Sequence, residues 1–253
     1  MLLVIDVGNT HTKIGVYDDE KLCFVSRLRT QQSTTDDQMA VWIDNFIKLN
    51  GVDSAQVGGA IISAVVPGLG VTMKRAVARL LGLEAILLGP GVKTGLNIRI
   101  DNPGQMGSDL VAAGVAAQAK YSLPLIVFGL GTATTISVLT ENGLIGGSIY
   151  PGVGISLNAL ASNTALLAQV NIEAPKSAIG TNTEDCMKSG VTFGTAAMID
   201  GMTARIEAEL GASCTLVATG GYANDIIPAC TRAVALDDSL VLEGLRLIYM
   251  KNR

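Results

Sequence analysis

The sequence is poor in aromatic side chains, in histidine and in clustered basic residues. Aromatic residues make up only 4% of the 253 residues, so the core must rely on aliphatic and small side chains and on glycine. The formal net charge is −4 and no basic block is present, so we do not expect a nucleic-acid partner. The single histidine, His11, lies between two threonines, where we expect a structural or solvent-facing role.

Cysteines and long apolar runs are also scarce. The four cysteines have no CxxC spacing, which argues against a zinc site and is typical of a reduced, cytoplasmic protein. No apolar run reaches the ~18–20 residues that a membrane-spanning helix needs. The first residues lack the basic region of a signal peptide, so we expect neither a membrane segment nor a secretion signal.

The most informative segment is the N-terminal one. Residues 2–5 form an apolar run with β-branched residues, and residues 12–17 read as a second strand, which predicts a β-hairpin with Asp6, Gly8, Asn9 and Thr10 at its tip. Glycine lets backbone N–H groups approach a phosphate, and an aspartate can hold Mg²⁺ through water. Lys13 adds a cation on the outgoing strand. The tip therefore predicts a site for a phosphate and its metal, although an ordinary hairpin turn would explain the motif alone.

The second half of the chain repeats this arrangement. Residues 127–133 align with residues 4–10, and Gly131 follows Gly129 at the same interval as Gly8 follows Asp6. Each half reads as three strands in a meander followed by helices and further strands. The pattern predicts an α/β protein of two duplicated domains, residues 1–105 and 106–253, with mixed sheets, helices and a cleft between the domains. Two facing hairpin tips would suit a triphosphate, which favours a nucleotide-dependent phosphotransferase over a binding module.

Several short motifs carry a resemblance to a known family. They are residues 6–10 with Lys13, Asn102-Pro103 leading to residues 107–109, residues 131–135, residues 146–149 with Pro151-Gly152, Asn182-Thr183, and residues 219–223. In this order and spacing they resemble the type III pantothenate kinases, which belong to the superfamily of actin, sugar kinases and heat-shock ATPases. The resemblance covers essentially the whole chain and implies duplicated ribonuclease-H-like, actin-like ATPase domains.

The resemblance implies a reaction and a set of site residues. The reaction is the ATP-dependent phosphorylation of the primary hydroxyl of pantothenate, the first step towards coenzyme A, by a cytoplasmic homodimer that uses Mg²⁺. Asp109 would be the general base and Asp6 the metal-organising acid. Nucleotide and phosphate contacts would come from Asp6, Gly8, Asn9, Thr10, Lys13, Gly131, Thr132, Thr134, Gly220 and Gly221. Acceptor contacts would come from Gly107, Ser108, Asp109 and, from the partner subunit, the residue at position Thr183.

The chain has Leu167-Ala168 where the family usually has Leu-Pro, and it departs from the family pattern at three positions on the acceptor or cation side. Leu110 replaces an arginine that would hold the pantothenate carboxylate, and a leucine side chain cannot donate a hydrogen bond. Ile100 replaces a tyrosine, and Gly129 replaces the acid that binds a monovalent cation, so that cation site is expected to be lost. Three interpretations stay open at this point: a pantothenate kinase with a reshaped acceptor site, a kinase for another small hydroxyl substrate, and a nucleotide-binding regulatory protein with little kinase activity.

Overall fold

The computed structural model describes residues 1–253, whose contacts form two compact units. The first unit comprises residues 1–96, 101–119 and 239–253, and the second comprises residues 97–100 and 120–238. Both units are discontinuous in sequence, because the segments after residues 100 and 238 return to the first unit. The division into domains at residues 105 and 106, expected from the sequence, stays a prediction.

The regular elements follow the predicted order closely. The strands are β1 (Leu2–Val7), β2 (His11–Asp18), β3 (Lys21–Arg29), β4 (Gly59–Ala64), β5 (Ile86–Leu87), β6 (Leu125–Leu130), β7 (Ala133–Thr140), β8 (Gly143–Pro151), β9 (Thr215–Thr219) and β10 (Ala235–Leu236). The helices are α1 (Asp36–Leu49), α2 (Leu69–Leu81), α3 (Ser108–Lys120), α4 (Val153–Asn163), α5 (Thr183–Leu210), α6 (Ala223–Ile226) and α7 (Leu240–Met250). No helix has the length and apolar character needed to cross a membrane. The sequence did not predict the two-residue strand β10.

The two sheets have the same topology, which confirms the predicted duplication. In the first sheet the order is β3-β2-β1-β4-β5, and in the second it is β8-β7-β6-β9-β10. The central strand of each sheet, β1 or β6, pairs antiparallel with the next strand in the chain and parallel with a strand that follows a helical crossover. Each sheet is therefore mixed, as the meander followed by α/β crossovers predicts.

Side chains along β1 alternate between the two faces of the sheet, so that one face is apolar and the other carries Asp6. Leu3, Ile5 and Val7 are fully buried and pack in one cluster with residues of α1 and α2. Because successive side chains of a strand point to opposite faces, Asp6 lies on the other face of the sheet. Helix α1 begins at a capping box formed by Thr35 and Gln38, which fixes the start of this apolar layer.

Candidate active site

The turn between β1 and β2 is held by backbone and threonine contacts. The Gly8 N–H donates to the carbonyl of His11 at 3.1 Å, and the Thr30 hydroxyl donates to the carbonyl of Gly8 at 2.7 Å. A Cβ atom at Gly8 would lie 2.9 Å from the same His11 oxygen, so the turn has no room for a larger residue. Asn9 and Thr10 are exposed at its tip. The predicted phosphate-binding turn is thus a rigid feature with accessible polar side chains.

Four polar residues form a row across the first sheet at the base of this turn. Strand pairing places Ser63 of β4 beside Asp6, Asp6 beside Lys13 of β2, and Lys13 beside Arg27 of β3. Residues paired across neighbouring strands project from the same face of a sheet. A buried hydroxyl, a carboxyl group and two cations therefore line one face in that order.

The carboxyl group of Asp6 is buried and incompletely paired. The residue is 8% exposed, and its Oδ1 atom has no hydrogen-bond partner in the protein. Burial raises the pKa of Asp6 to about 7, and the nearby Asp109 carboxylate adds to the rise, whereas Lys13 and a hydrogen bond from Ser63 oppose it. An unpaired buried carboxylate is costly unless a cation or donor meets it. The residue therefore fits a cation or a hydrogen-bond donor at this position.

The second carboxyl group of the site lies in the first turn of α3. Asp109 is half-buried in the first turn of α3. Burial raises the pKa of Asp109 above its usual value, and the nearby backbone N–H groups of Leu110 and of Asp109 itself oppose this rise. The electrostatic effect of Asp109 on Asp6 means that the first unit brings together the two acids that the sequence singled out.

Gly107 makes room for the Asp109 side chain. A Cβ atom built on Gly107 would overlap Oδ1 of Asp109. The backbone of Gly107 does not adopt the left-handed conformation, so the glycine is needed here for space. A glycine is therefore needed at position 107 for the Asp109 carboxylate to lie where it does.

The tip region is strongly positive on its outer side. His11 is paired with Arg29 across the two strands, and Lys13 is paired with Arg27. Burial and then the charges of Arg27, Arg29 and Lys13 lower the pKa of His11, so its imidazole is neutral at pH 7. Lys13 and Arg27 are like charges directly opposite each other, an arrangement that destabilises a strand pair, and a bound anion would relieve that cost.

The second unit repeats the turn with different chemistry. The Gly131 N–H donates to the carbonyl of Ala133 at 3.2 Å, as Gly8 does to His11 in the first unit. Gly220 has a φ of 110°, and a side chain there would lie 2.5 Å from the carbonyl oxygen of Leu130. Only glycine fits at this position, where β9 leads towards α6. Thr132 and Gly221 lie beside these turns, so the structure brings the predicted nucleotide residues of this unit together at one end of its sheet.

Two buried threonine hydroxyls in this unit lack a protein partner. Thr134 is fully buried and Thr219 is 6% exposed, and neither Oγ1 atom makes a hydrogen bond. Gly129 lies between Thr219 and Thr135 in the strand register, and a Cβ at Gly129 would be 2.5 Å from the Thr135 hydroxyl. The position that corresponds to Asp6 is therefore small and neutral, with a hydroxyl beside it.

Thr183 lines a cavity in the second unit. It is the first residue of α5, whose N-cap is Asn182, and the Asn182 side chain accepts a hydrogen bond from the N–H of Asp185 at 2.9 Å. The cavity measures about 610 Å³ and has apolar walls that include Leu160, Leu167 and Met187. Because Asn182 caps the helix, the Thr183 hydroxyl is not needed for that purpose.

Comparison with known proteins decides the family. The sequence model of the type III pantothenate kinases matches residues 2–205. A type III pantothenate kinase from Roseiflexus sp. (strain RS-1) is 43% identical over 255 residues, with 100% of each chain covered. One from Brevibacillus brevis is 39% identical over 254 residues, again with full coverage of both chains. This chain belongs to the type III pantothenate kinase family.

Solved structures agree on the fold of this family member. A candidate 2-dehydro-3-deoxygalactonokinase from Sinorhizobium meliloti superposes with a TM-score of 0.61 at 14% identity, covering 99% of this chain and 96% of that one. Component A of the Acidaminococcus fermentans (R)-2-hydroxyglutaryl-CoA dehydratase gives 0.56 at 13% identity, covering 98% and 96%. At such identities the likeness concerns the fold, and it confirms the duplicated ribonuclease-H-like architecture.

Several residues of the site were not predicted from the sequence. Thr30 and Ser63 fix the first turn and Asp6, and Arg27 extends the row of polar residues. In the sequence, these residues are marked only as polar residues within or just after a strand. Ser108, predicted to contact substrate, has a hydroxyl that already contacts the Ser63 hydroxyl and the Ala64 N–H. Its contact with substrate stays a prediction.

Proposed function

We propose that this chain transfers the γ-phosphoryl group of ATP to the primary hydroxyl of pantothenate, the first step of coenzyme A synthesis. Family membership across the chain supports the reaction. The observation that carries the proposal is the pairing of two perturbed carboxyl groups, Asp6 and Asp109, beside a rigid glycine turn in the first unit. Phosphoryl transfer needs such a combination, because it depends on positioning and on charge neutralisation.

Asp109 is proposed as the general base. Its raised pKa brings its basicity closer to neutral pH, and its carboxylate lies against Gly107, where the missing side chain leaves room for it. The acceptor hydroxyl gives its proton to Asp109 while its oxygen forms a bond to the γ-phosphorus. The bond between that phosphorus and the β–γ bridging oxygen breaks, and ADP leaves.

The phosphate groups are proposed to contact the first turn and its cations. Gly8, Asn9, Thr10 and Lys13 would supply the N–H, hydroxyl and ammonium donors predicted from the sequence. Arg27 and Arg29 form no ion pair within the protein, so their charges are available to a phosphate chain beside Lys13. In the second unit we propose Gly131, Thr132, Thr134, Gly220 and Gly221 as nucleotide contacts, supported by the orphaned hydroxyl of Thr134.

Asp6 is the residue proposed to hold Mg²⁺. No three acidic, histidine or cysteine side chains cluster in a way that would enclose a metal. One or two carboxylates with water and phosphate oxygens are, however, the usual environment of Mg²⁺ in kinases. The unpaired Oδ1 of Asp6 fits that environment. When bound, the ion would neutralise phosphate charge during transfer.

The monovalent-cation site is proposed to be lost, because Gly129 offers no carboxylate. We also propose a cytoplasmic homodimer in which the partner's residue at position 183 completes the acceptor site. The apolar cavity beside Thr183 supports a role of this region in binding.

Leu110 favours a second candidate, a kinase for an acceptor without a carboxylate. This half-buried residue follows Asp109 directly and cannot pair with an anion. A coupled ADP-release assay should compare pantothenate with panthenol and pantetheine, which keep the reacting hydroxyl but lack the carboxylate. Phosphorylation of pantothenate that is abolished by Asp109→Asn supports the first proposal. Turnover of the neutral acceptors alone supports the second, and no turnover of pantothenate refutes the first.

A further inference from the structure

Two serines connect the acids of the proposed site inside the first unit. Ser63 is fully buried on β4, in register with Asp6 on β1. Its Oγ atom lies 2.9 Å from the Oγ atom of Ser108, the first residue of α3. Ser108 directly precedes Asp109. The chain of contacts therefore runs from Asp6 through Ser63 and Ser108 to the helical turn that carries Asp109.

The Ser108 hydroxyl joins the start of α3 to β4 through two contacts. The Ala64 N–H donates to Ser108 Oγ at 3.2 Å, so this hydroxyl oxygen acts as an acceptor there. The Ser63 and Ser108 hydroxyls share a second hydrogen bond, in which either oxygen can be the donor. Both contacts tie the residue before Asp109 to consecutive residues of β4, and Ser63 is in register with Asp6.

Both serines are engaged within the protein. Ser63 is inaccessible to any substrate because it is completely buried. The Ser108 hydroxyl already contacts the Ser63 hydroxyl and the Ala64 N–H. These contacts need no bound substrate, and they join the strand beside Asp6 to the helix that carries Asp109.

We propose that Ser63 and Ser108 are positioning residues that fix the first turn of α3, and with it Asp109, relative to Asp6. The inference rests on the proposed kinase function for its catalytic consequence. Side chains at catalytic centres depend on supporting hydrogen bonds to hold them within about 0.5 Å of the productive geometry. Loss of either hydroxyl should release the helix turn from the strand, while the phosphate-binding turn at Gly8 is left intact.

The first test does not depend on catalysis. Hydrogen exchange of the ligand-free protein should be compared for wild type, Ser63→Ala and Ser108→Ala. We expect faster exchange of the amides of residues 110–112 in both variants. Ser26→Ala is the matched control, since its hydroxyl only accepts a bond from Asn50 on the same unit at 3.3 Å. Unchanged exchange at residues 110–112 in both serine variants would overturn the proposal, even if the protein proves to be no kinase.

The second test measures catalysis in the folded protein. We expect kcat to fall about tenfold in either single variant, with the KM for ATP changed less than twofold. The double variant should lose no more than the worse single variant, because both substitutions break one chain of bonds. Ser108→Thr keeps the hydroxyl and should restore kcat. Additive losses of kcat would show that the two serines act independently and not through one chain of contacts, and normal kcat with a lowered melting temperature would show that they serve stability alone; either result would overturn the proposal.

Discussion

The most direct test of the site geometry is Gly107→Ala. The added methyl group would overlap Oδ1 of Asp109, and the backbone at this position accepts alanine without strain. The Asp109 side chain must therefore rotate or move by about 1 Å, and a displacement of that size costs up to about 100-fold in rate. We expect kcat to fall about 10- to 100-fold, with the KM for ATP nearly unchanged because the phosphate-binding turn is untouched.

The control for this variant lies on the same loop. A Cβ atom at Gly104 would meet nothing within 4 Å, so Gly104→Ala should keep wild-type kcat. Both variants are assayed by coupled ADP release with saturating ATP, and their melting temperatures are compared. A Gly107→Ala enzyme with wild-type kcat would refute the assignment of Asp109 as a precisely placed base. An equal loss in both variants would point to loop mobility instead.

Three further predictions concern single features of the chain. Leu110→Arg adds a charge-assisted contact worth about 1.5–3 kcal/mol, so the KM for pantothenate should fall about 10- to 100-fold, and an unchanged KM would argue for another acceptor. Replacing potassium by sodium at constant ionic strength should leave kcat unchanged because Gly129 has no carboxylate; a steep potassium dependence would contradict this. The only histidine, His11, should titrate by NMR below its ordinary value of 6.5, and Arg27→Gln/Arg29→Gln should raise that midpoint because the two charges disfavour the imidazolium.

The local elements were predictable because their signals are local. Thr35 and Gln38 form the capping box that begins α1, and Gly211 adopts the left-handed conformation that ends α5. The two glycine turns were visible because the chain repeats them. The assignment of α3 and α7 to the first unit was not predictable, because it depends on long-range contacts such as that between Gly244 and the backbone of Ala112.

The site was predictable only as far as its motifs extend. Asp6 and Asp109 were identified from short segments, but their electrostatic coupling follows from packing that brings α3 against β4. Ser63 shows the difference clearly. In the sequence it is one polar residue in an apolar strand, and only the parallel register of β4 with β1 places it beside Asp6.

The turns after β1 and β6 differ in charge because the first follows Asp6 and the second follows Gly129. In the first unit the carboxyl group of Asp6 remains buried with an unpaired oxygen, a costly arrangement that a cation or phosphate-bound metal would relieve. In the second unit Gly129 removes that cost, and the Thr135 hydroxyl lies 2.5 Å from where a side chain would begin. Restoring an acid by Gly129→Asp alone would therefore force Thr135 to move. Because only the first turn carries a buried carboxyl group, we expect the proposed Mg²⁺ site to depend on Asp6.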